Sequence, residues 1–242
     1  MELRIDGLCV QPEPGQSLLQ LVQQLGLDRE QLSQRPLAAK IAGEVFTLNY
    51  IPVRQKDALD TSVPRKAMAA SGGDVRLLRY GDALGREAYI RTAQFVIFLA
   101  LRQLWPKSQG KISCTLGASV FIQVTGAEDF SVTRLKEKIR ELIQQDIPLL
   151  RRRVSVAEAI ARYSAEGQTD KARLLNWRTV DFFDEYTHGD FADYYYGEML
   201  PSTGYITVWD IIPVDGGFMF IFPDPLDPDR LASFTHMPNF FR

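Results

Sequence analysis

The strongest constraint on this fold is a long run without a helix breaker, from Arg86 to Trp105. Its centre, Phe95 to Leu101, is apolar on nearly every side, and Pro106 ends it. A helix that is apolar all round must be buried, so the rest of the chain has to supply elements that surround it. This longest apolar run is far shorter than the roughly 20 residues that span a bilayer. We therefore expect no membrane partner.

The composition is that of an ordinary globular protein, with 45% apolar and 24% charged residues in 242. That length favours one large domain or two smaller ones. No signal-like segment opens the chain, so we expect a cytoplasmic protein. The two cysteines, Cys9 and Cys114, lie far apart and form neither a disulfide framework nor a CxxC motif.

The first part of the chain predicts a small β-grasp, ubiquitin-like fold. Asp6-Gly7 predicts a hairpin within residues 3–11, and Ser17 predicts the N-cap of an amphipathic helix closed by Gly26. Three further strands are expected. The first covers 38–41, the second follows a turn at 43–44, and the third covers 75–80. Between them, residues 54–73 are charged and small, as in an exposed loop.

The second part predicts an α+β module around the long helix. Ser155 and Glu158 have the spacing of a capping box, in which each satisfies the other's backbone donor. The other predicted elements are a hairpin over 112–124, a helix capped by Ser131, a strand over 148–154, a helix from Thr169 to Trp177, strands over 180–186, 204–212 and 217–222, and an irregular segment after Pro223.

The stretch 193–204 contains three adjacent tyrosines and ends in a turn containing Pro201 and Gly204. Two interpretations stay open: the tyrosines line a pocket, or they form an edge strand with packed rings. Asp193 and Glu198 have a spacing that permits an acid/base pair, although acidic loop residues are usually solvated.

The common catalytic motifs are missing from the sequence. There are two histidines, His188 and His236, and Gly110-Lys111 is not part of a phosphate-binding P-loop. Ser202 has no neighbouring base that would activate it. We therefore predict no catalytic residue, no metal site and no cofactor.

Charge is distributed unevenly along the chain. Residues 134–178 contain 11 Lys/Arg against 6 Asp/Glu, whereas residues 179–230 contain 1 against 11. Two solvated faces of opposite sign explain this pattern. The alternative is a local basic surface, including Arg151, Arg152 and Arg153, that contacts a phosphate or a partner.

Several phrases resemble the N-terminal half of threonyl-tRNA synthetase, in which a TGS domain precedes a domain that edits mischarged tRNA. They are residues 129–130 (DF), 143–148 (IQQDIP), 154–159 (VSVAEA), 189–191 (GDF) and 201–204 (PSTG). The resemblance implies a TGS-like domain over 1–82, with a flexible insertion at about 54–73, and an editing-like domain over 83–223. Residues 224–242 would then be an extension or linker.

The editing family carries its chemistry in H-x-x-x-H on the long helix and C-x-x-x-H before P-S-T-G. Here residues 91–95 (RTAQF) and 195–199 (YYGEM) occupy those places. Arg91, Phe95, Tyr195 and Met199 are not a usual ligand set for a divalent metal. The resemblance thus implies the fold without the metal-dependent hydrolysis.

A second resemblance, to a bacterial uridine-kinase-like family, rests on residues 170–175 (DKARLL), 193–197 (DYYYG) and 201–205 (PSTGY). It implies that this chain is the part ahead of a P-loop kinase domain, a transferase that would begin beyond Arg242. ATP and magnesium would bind only to that kinase domain.

From these resemblances we expect a non-catalytic module for substrate recognition or regulation, whose cleft binds a nucleoside or nucleotide. The expected lining residues are Arg91, Phe95, Tyr195, Gly197, Glu198, Met199, Ser202 and Thr203, with Lys171 and Arg173 as nearby cations. The alternatives are a freestanding aminoacyl-tRNA deacylase that depends on Glu198, and an RNA-binding or protein-docking module.

Overall fold

A computed structural model describes residues 2–53, 73–165, 167–177 and 181–234. Nearly all of the predicted loop at 54–73 lies outside these residues. In the described part of the chain, no helix is both long and apolar enough to cross a membrane.

The first sheet has the order expected of a β-grasp fold. Its elements are β1 (Leu3–Ile5), β2 (Leu8–Val10), α1 (Leu18–Gln24), β3 (Ala38–Ile41), β4 (Glu44–Phe46) and β5 (Asp74–Leu78). The strand order is β2-β1-β5-β3-β4, with β1 and β5 parallel and the other pairs antiparallel. The predicted fold class is confirmed.

Local sequence signals explain how this unit forms. Asp6 and Gly7 both take positive φ angles, 46° and 91°, which lets the chain reverse between β1 and β2. Ser17 and Gln20 form a capping box in which each side chain accepts from the other's backbone N–H. Leu18, Leu21 and Val22 of α1 are buried in the apolar core under the sheet.

The second unit is built from two sheets and four helices. In chain order its elements are α2 (Ala83–Leu104), β6 (Gln109–Thr115), β7 (Ser119–Thr125), α3 (Val132–Gln144), β8 (Arg151–Ser155), α4 (Val156–Ala165), α5 (Thr169–Leu175), β9 (Phe182–His188), β10 (Phe191–Asp193), β11 (Asp210–Val214) and β12 (Gly217–Ile221). Both sheets are antiparallel, in the orders β11-β12-β7-β6 and β10-β9-β8.

Helix α2 is buried along most of its length, as its composition requires. Consecutive residues Val96 and Ile97, and then Leu99 to Leu101, are almost completely inaccessible to solvent. They share one core with residues of β7 and β12 and of α3. The helix begins at Ala83, three residues before the predicted start, with Asp82 as its N-cap.

The three-stranded sheet β10-β9-β8 has two different faces because side chains alternate along each strand. Val154 and Phe183 pack with Ala159, Tyr163, Ala172 and Leu175 of α4 and α5, and we call this group the α4–α5 cluster. The other face is directed toward α2, where the rings of Phe191 and Phe95 lie 5.2 Å apart. The candidate cleft lies on this α2 side.

Five details of this unit differ from the sequence expectations. Tyr194 to Tyr196 follow β10 and are not an edge strand, and residues 203–205 form a short 3-10 helix before β11. Helix α5 ends at Leu175, two residues before the predicted end at Trp177. Ser155 accepts from the Glu158 N–H, but the Glu158 carboxylate pairs with Arg152 and so does not complete a capping box. Pro148 lies before β8, in an isolated bridge with Ser202.

The two units contact each other through specific side chains. The Arg35 guanidinium lies 3.7 Å from the centre of the Tyr205 ring, a cation–π contact. The Tyr80 hydroxyl donates to the carbonyl of Pro223, and Ser33 donates to the carboxylate of Asp229. The described part of the predicted C-terminal extension therefore folds back onto the first unit.

Because Ile97 and Leu101 of α2 are buried in the core, truncation of either side chain should destabilise the fold. We expect Ile97→Ala and Leu101→Ala each to lower the free energy of unfolding by about 2–5 kcal/mol. Leu84→Ala, at a partly exposed position of the first turn, is the matched control and should cost much less. Urea unfolding measures the free energy of unfolding of all three variants. Wild-type stability of either core variant would contradict the prediction.

Candidate functional site

The candidate site is the loop after β10, residues 194–204, where it crosses α2. Arg91 of α2 binds this loop through its guanidinium. Nη1 donates to the Glu198 carbonyl at 2.9 Å, and Nη2 donates to the Glu87 carboxylate at 2.6 Å. The arginine predicted to line the cleft is thus bonded to the cleft's own backbone.

Gly197 is required by this arrangement. Its φ angle is +114°, a region that side-chain-bearing residues rarely occupy. A Cβ atom built at this position would lie 2.8 Å from Cζ of Arg91, closer than carbon atoms normally approach. The glycine therefore lets the loop lie directly against the guanidinium.

The Glu198 carboxylate is almost completely buried and is paired within the protein. Its Oε1 accepts from Arg151 Nη1 at 2.6 Å, and the backbone N–H of Thr47 lies close enough to the carboxylate to lower its pKa. Burial raises the pKa of Glu198, and the Arg151 charge opposes that shift only partly. Arg151 also faces the Asp184 carboxylate at 3.5 Å, and that carboxylate pairs with Arg153 as well.

Two buried hydroxyls fix the backbone of the loop. The Leu200 N–H donates to Thr92 Oγ1 at 2.9 Å, and the Met199 N–H donates to the Tyr186 hydroxyl at 3.2 Å. The sequence reasoning missed both Thr92 and Tyr186. The position of Thr92 within an apolar, buried helix was the available signal, because a buried hydroxyl needs a partner.

Phe95, Met199 and Tyr195 form the apolar part of the site. Phe95 and Met199 are fully buried, and the Tyr195 ring lies 6.4 Å from that of Phe95. The Tyr195 hydroxyl is buried without a hydrogen bond of normal geometry to a described residue. Burial, together with the nearby charge of Asp193, raises the pKa of Tyr195 well above its ordinary value.

Ser202 and Thr203 join the loop to the end of α3. The Ser202 hydroxyl donates to Asp146, and Gly204 N–H donates to the same carboxylate at 3.1 Å. Thr203 Oγ1 donates to the Leu142 carbonyl at 2.7 Å and accepts from the Ile147 N–H at 2.9 Å. Both hydroxyls therefore have structural partners.

Of the two predicted nearby cations, the structure describes the side chain of Arg173. Arg173 is exposed on α5, which packs against the opposite face of the β10-β9-β8 sheet from Phe95. Lys171 belongs to the same helix, and its side chain is outside the described set. The structure thus does not place Arg173 beside Arg91 and Glu198.

The first unit closes part of the cleft. In addition to the Thr47 contact, Asn49 Nδ2 donates to the carbonyl of Pro201 at 2.8 Å and to that of Leu149 at 3.4 Å. The turn 47–50 therefore contacts the backbone of the loop at Pro201. Sequence reasoning treated the two units separately and did not predict this contact.

The donor set does not favour a metal. Across the described ranges, no three His, Cys, Asp or Glu side chains come together in a group that could hold an ion. The carboxylates of Glu198 and Asp184 are each paired with arginine, and that of Asp146 accepts from Ser202 and Gly204. An arginine-rich, internally paired site is suited to holding the loop in place more than to activating a water.

The chain resembles curated threonine–tRNA ligases over most of its own length. It is 24% identical over 217 residues to the ligase of Syntrophomonas wolfei, covering 88% of this chain and 31% of the relative. It is 29% identical over 164 residues to that of Rhodospirillum rubrum, covering 66% and 25%. The ligase of Listeria welshimeri is 25% identical over 217 residues, covering 88% and 31%. No protein-family model matches the chain.

This chain spans between a quarter and a third of the length of these relatives. The similarity is compatible with the TGS and editing-like folds, and nothing found supports the expected uridine-kinase-like family or its nucleoside kinase. The chain is a distant homologue of the N-terminal part of threonyl-tRNA synthetase.

Proposed function

We propose that this chain is a non-catalytic module that binds the acceptor end of a tRNA. The relatives are named for a reaction on tRNA, and the part they share with this chain resembles the TGS and editing domains. The observation that supports the non-catalytic part is the pairing of the Glu198 carboxylate with Arg151.

Hydrolysis of an aminoacyl ester needs a water activated by a base or by a metal ion. Glu198 is the buried carboxylate of the loop, but as a base it would have to reach the attacking water. Its contacts with Arg151 and Thr47 hold it against the protein, and Arg91 lies over the adjacent backbone. These contacts favour binding over hydrolysis.

The same contacts argue against a nucleoside held between the tyrosines and Arg91. Arg91 is already bonded to the Glu198 carbonyl and to Glu87, while Phe95 and Met199 are fully buried. A nucleoside at this position would have to displace those groups. RNA bound at the surface of the module requires no such rearrangement.

The proposal predicts tRNA binding without ester hydrolysis. Threonine-type tRNA should bind with an affinity that falls as salt rises, because arginine and lysine contacts with phosphates release counterions. Fluorescence anisotropy at several salt concentrations measures the binding. A mischarged threonine-type tRNA should lose its amino acid no faster with the protein than without it.

Two outcomes would contradict this proposal. Absence of salt-sensitive tRNA binding would remove the RNA-binding function. Hydrolysis of the mischarged tRNA that is abolished in Glu198→Ala would favour the deacylase alternative instead. Glu87→Ala is the matched control, since Glu87 is an exposed carboxylate paired with an arginine in the same region.

The environment of Glu198 also predicts a pH dependence of stability. A carboxyl whose pKa is raised by folding stabilises the fold below its unfolded pKa of about 4.3, and this contribution is lost as pH rises through its folded pKa. Glu198→Gln removes the titration. We therefore expect the thermal midpoint of the variant to rise relative to wild type between pH 4 and pH 7.

Thermal unfolding of wild type and Glu198→Gln across this pH range tests the prediction. Glu87→Gln is the control: the difference between its thermal midpoint and that of wild type should change little with pH. If the advantage of Glu198→Gln instead fell with rising pH, the attraction of Arg151 would outweigh burial, and the pKa of Glu198 would be lowered.

A further inference from the structure

Two side chains of the first unit contact the two ends of one short stretch, residues 201–205, which we call the PSTGY segment. At its start, Asn49 Nδ2 donates to the carbonyl of Pro201 at 2.8 Å. At its end, the Arg35 guanidinium lies 3.7 Å from the centre of the Tyr205 ring. The first unit therefore holds the segment at both ends.

The middle of the PSTGY segment is held by the end of α3. Thr203 Oγ1 donates to the carbonyl of Leu142 at 2.7 Å. The 3-10 helix of the segment contributes little of its own, since the Tyr205 N–H lies 3.4 Å from the Ser202 carbonyl, at the long end of hydrogen-bond distances. Contacts from α3 and from the first unit therefore set the conformation of the segment.

Arg35 is fixed by its surroundings. Leu32 and Leu37, on either side of it in sequence, are almost completely inaccessible and belong to the same core as α2. Its Nε lies 3.8 Å from the Asp28 carboxylate, too far for a hydrogen bond but close enough for charge attraction. A unit docked through apolar side chains does not move freely against its neighbour. The guanidinium therefore stays over the Tyr205 ring.

The turn that carries Asn49 is fixed as well. The two carbonyls that flank Asn49 in sequence accept from the first two N–H groups of α1, at 2.7 and 2.9 Å. The turn is thus bonded to the capped start of that helix. Its amide cannot follow a moving partner, so movement of the Pro201 carbonyl would break the bond between them.

We propose that the first unit is an internal clamp that keeps the cleft closed by the protein's own side chains. With the PSTGY segment fixed, the residues just before it have to lie on α2, where Arg91 and Thr92 bind the backbone of Glu198 and Leu200. Opening of the loop must then break the contacts with the first unit as well. The clamp acts within one chain, so the inference goes beyond RNA binding and does not depend on it.

Amide hydrogen exchange of the full chain tests the clamp. The Met199 and Leu200 N–H groups are bonded to buried hydroxyls, and they exchange when the loop opens. Loss of a contact that opening must break makes opening easier. We therefore expect Asn49→Ala and Arg35→Met each to speed the exchange of these two amides by about 3-fold to 10-fold.

The matched controls are Gln24→Ala and Arg29→Met, which change exposed side chains of the first unit and should leave the exchange of the loop amides as in wild type. The amides of β12, a central strand of the four-stranded sheet, report global unfolding. In wild type, the loop amides should exchange faster than those of β12 and should depend less on low concentrations of urea, because a local opening exposes little surface.

Two results would overturn the clamp. The first is wild-type exchange of the loop amides in both Asn49→Ala and Arg35→Met, since the loop would then open without breaking contacts to the first unit. The second is a wild-type loop whose amides match those of β12 in rate and in urea dependence. The loop would then open only when the whole chain unfolds, and the cleft would have no separate closed state. This second measurement needs no variant.

Discussion

The fold depends on the burial of α2 around most of its circumference, with a less covered stripe through Arg91, Gln94 and Phe98. An apolar helix of this length cannot be covered by one sheet, because a sheet contacts only one side of it. In this protein the four-stranded sheet, α3 and the β10 side of the three-stranded sheet each cover a part of it. The site exists because the remaining side is crossed by the loop 194–204. The helix that organises the core thus also supplies the floor of the cleft.

That dual role explains which residues of the cleft were predictable. The chain order of strands and helices followed from turn chemistry and apolar spacing, since Asp6-Gly7, Ser17 and Ser131 act through bonds to residues close in sequence. The site involves bonds across long separations, such as Thr92 to Leu200 and Asn49 to Pro201. No local pattern encodes those partners, so Tyr186, Thr92 and Asn49 were missed.

The errors have the same physical origin. Residues 204–212 read as a strand because they are apolar and β-branched, but tertiary bonds from Ser202 and Thr203 to the end of α3 hold the start of this stretch as a 3-10 turn. Tyr194 to Tyr196 do not show the alternation of apolar and polar residues that is typical of a strand. They leave the sheet directly after β10, because Gly197 and Arg91 hold the loop against α2. Arg173 was predicted to lie near the cleft, whereas α5 packs on the opposite face of the three-stranded sheet.

The arginines of the cleft show how an arrangement of charge favours one role over another. A single buried carboxylate would be costly to ionise, and its raised pKa would suit it to proton transfer. Arg151 at 2.6 Å from Oε1 reduces that cost. Arg91 acts on the neighbouring carbonyl, and the absence of a Gly197 side chain lets it do so. The two arginines therefore hold both the side chain and the backbone of Glu198, and a role for this carboxylate in proton transfer would require the Arg151 contact to break.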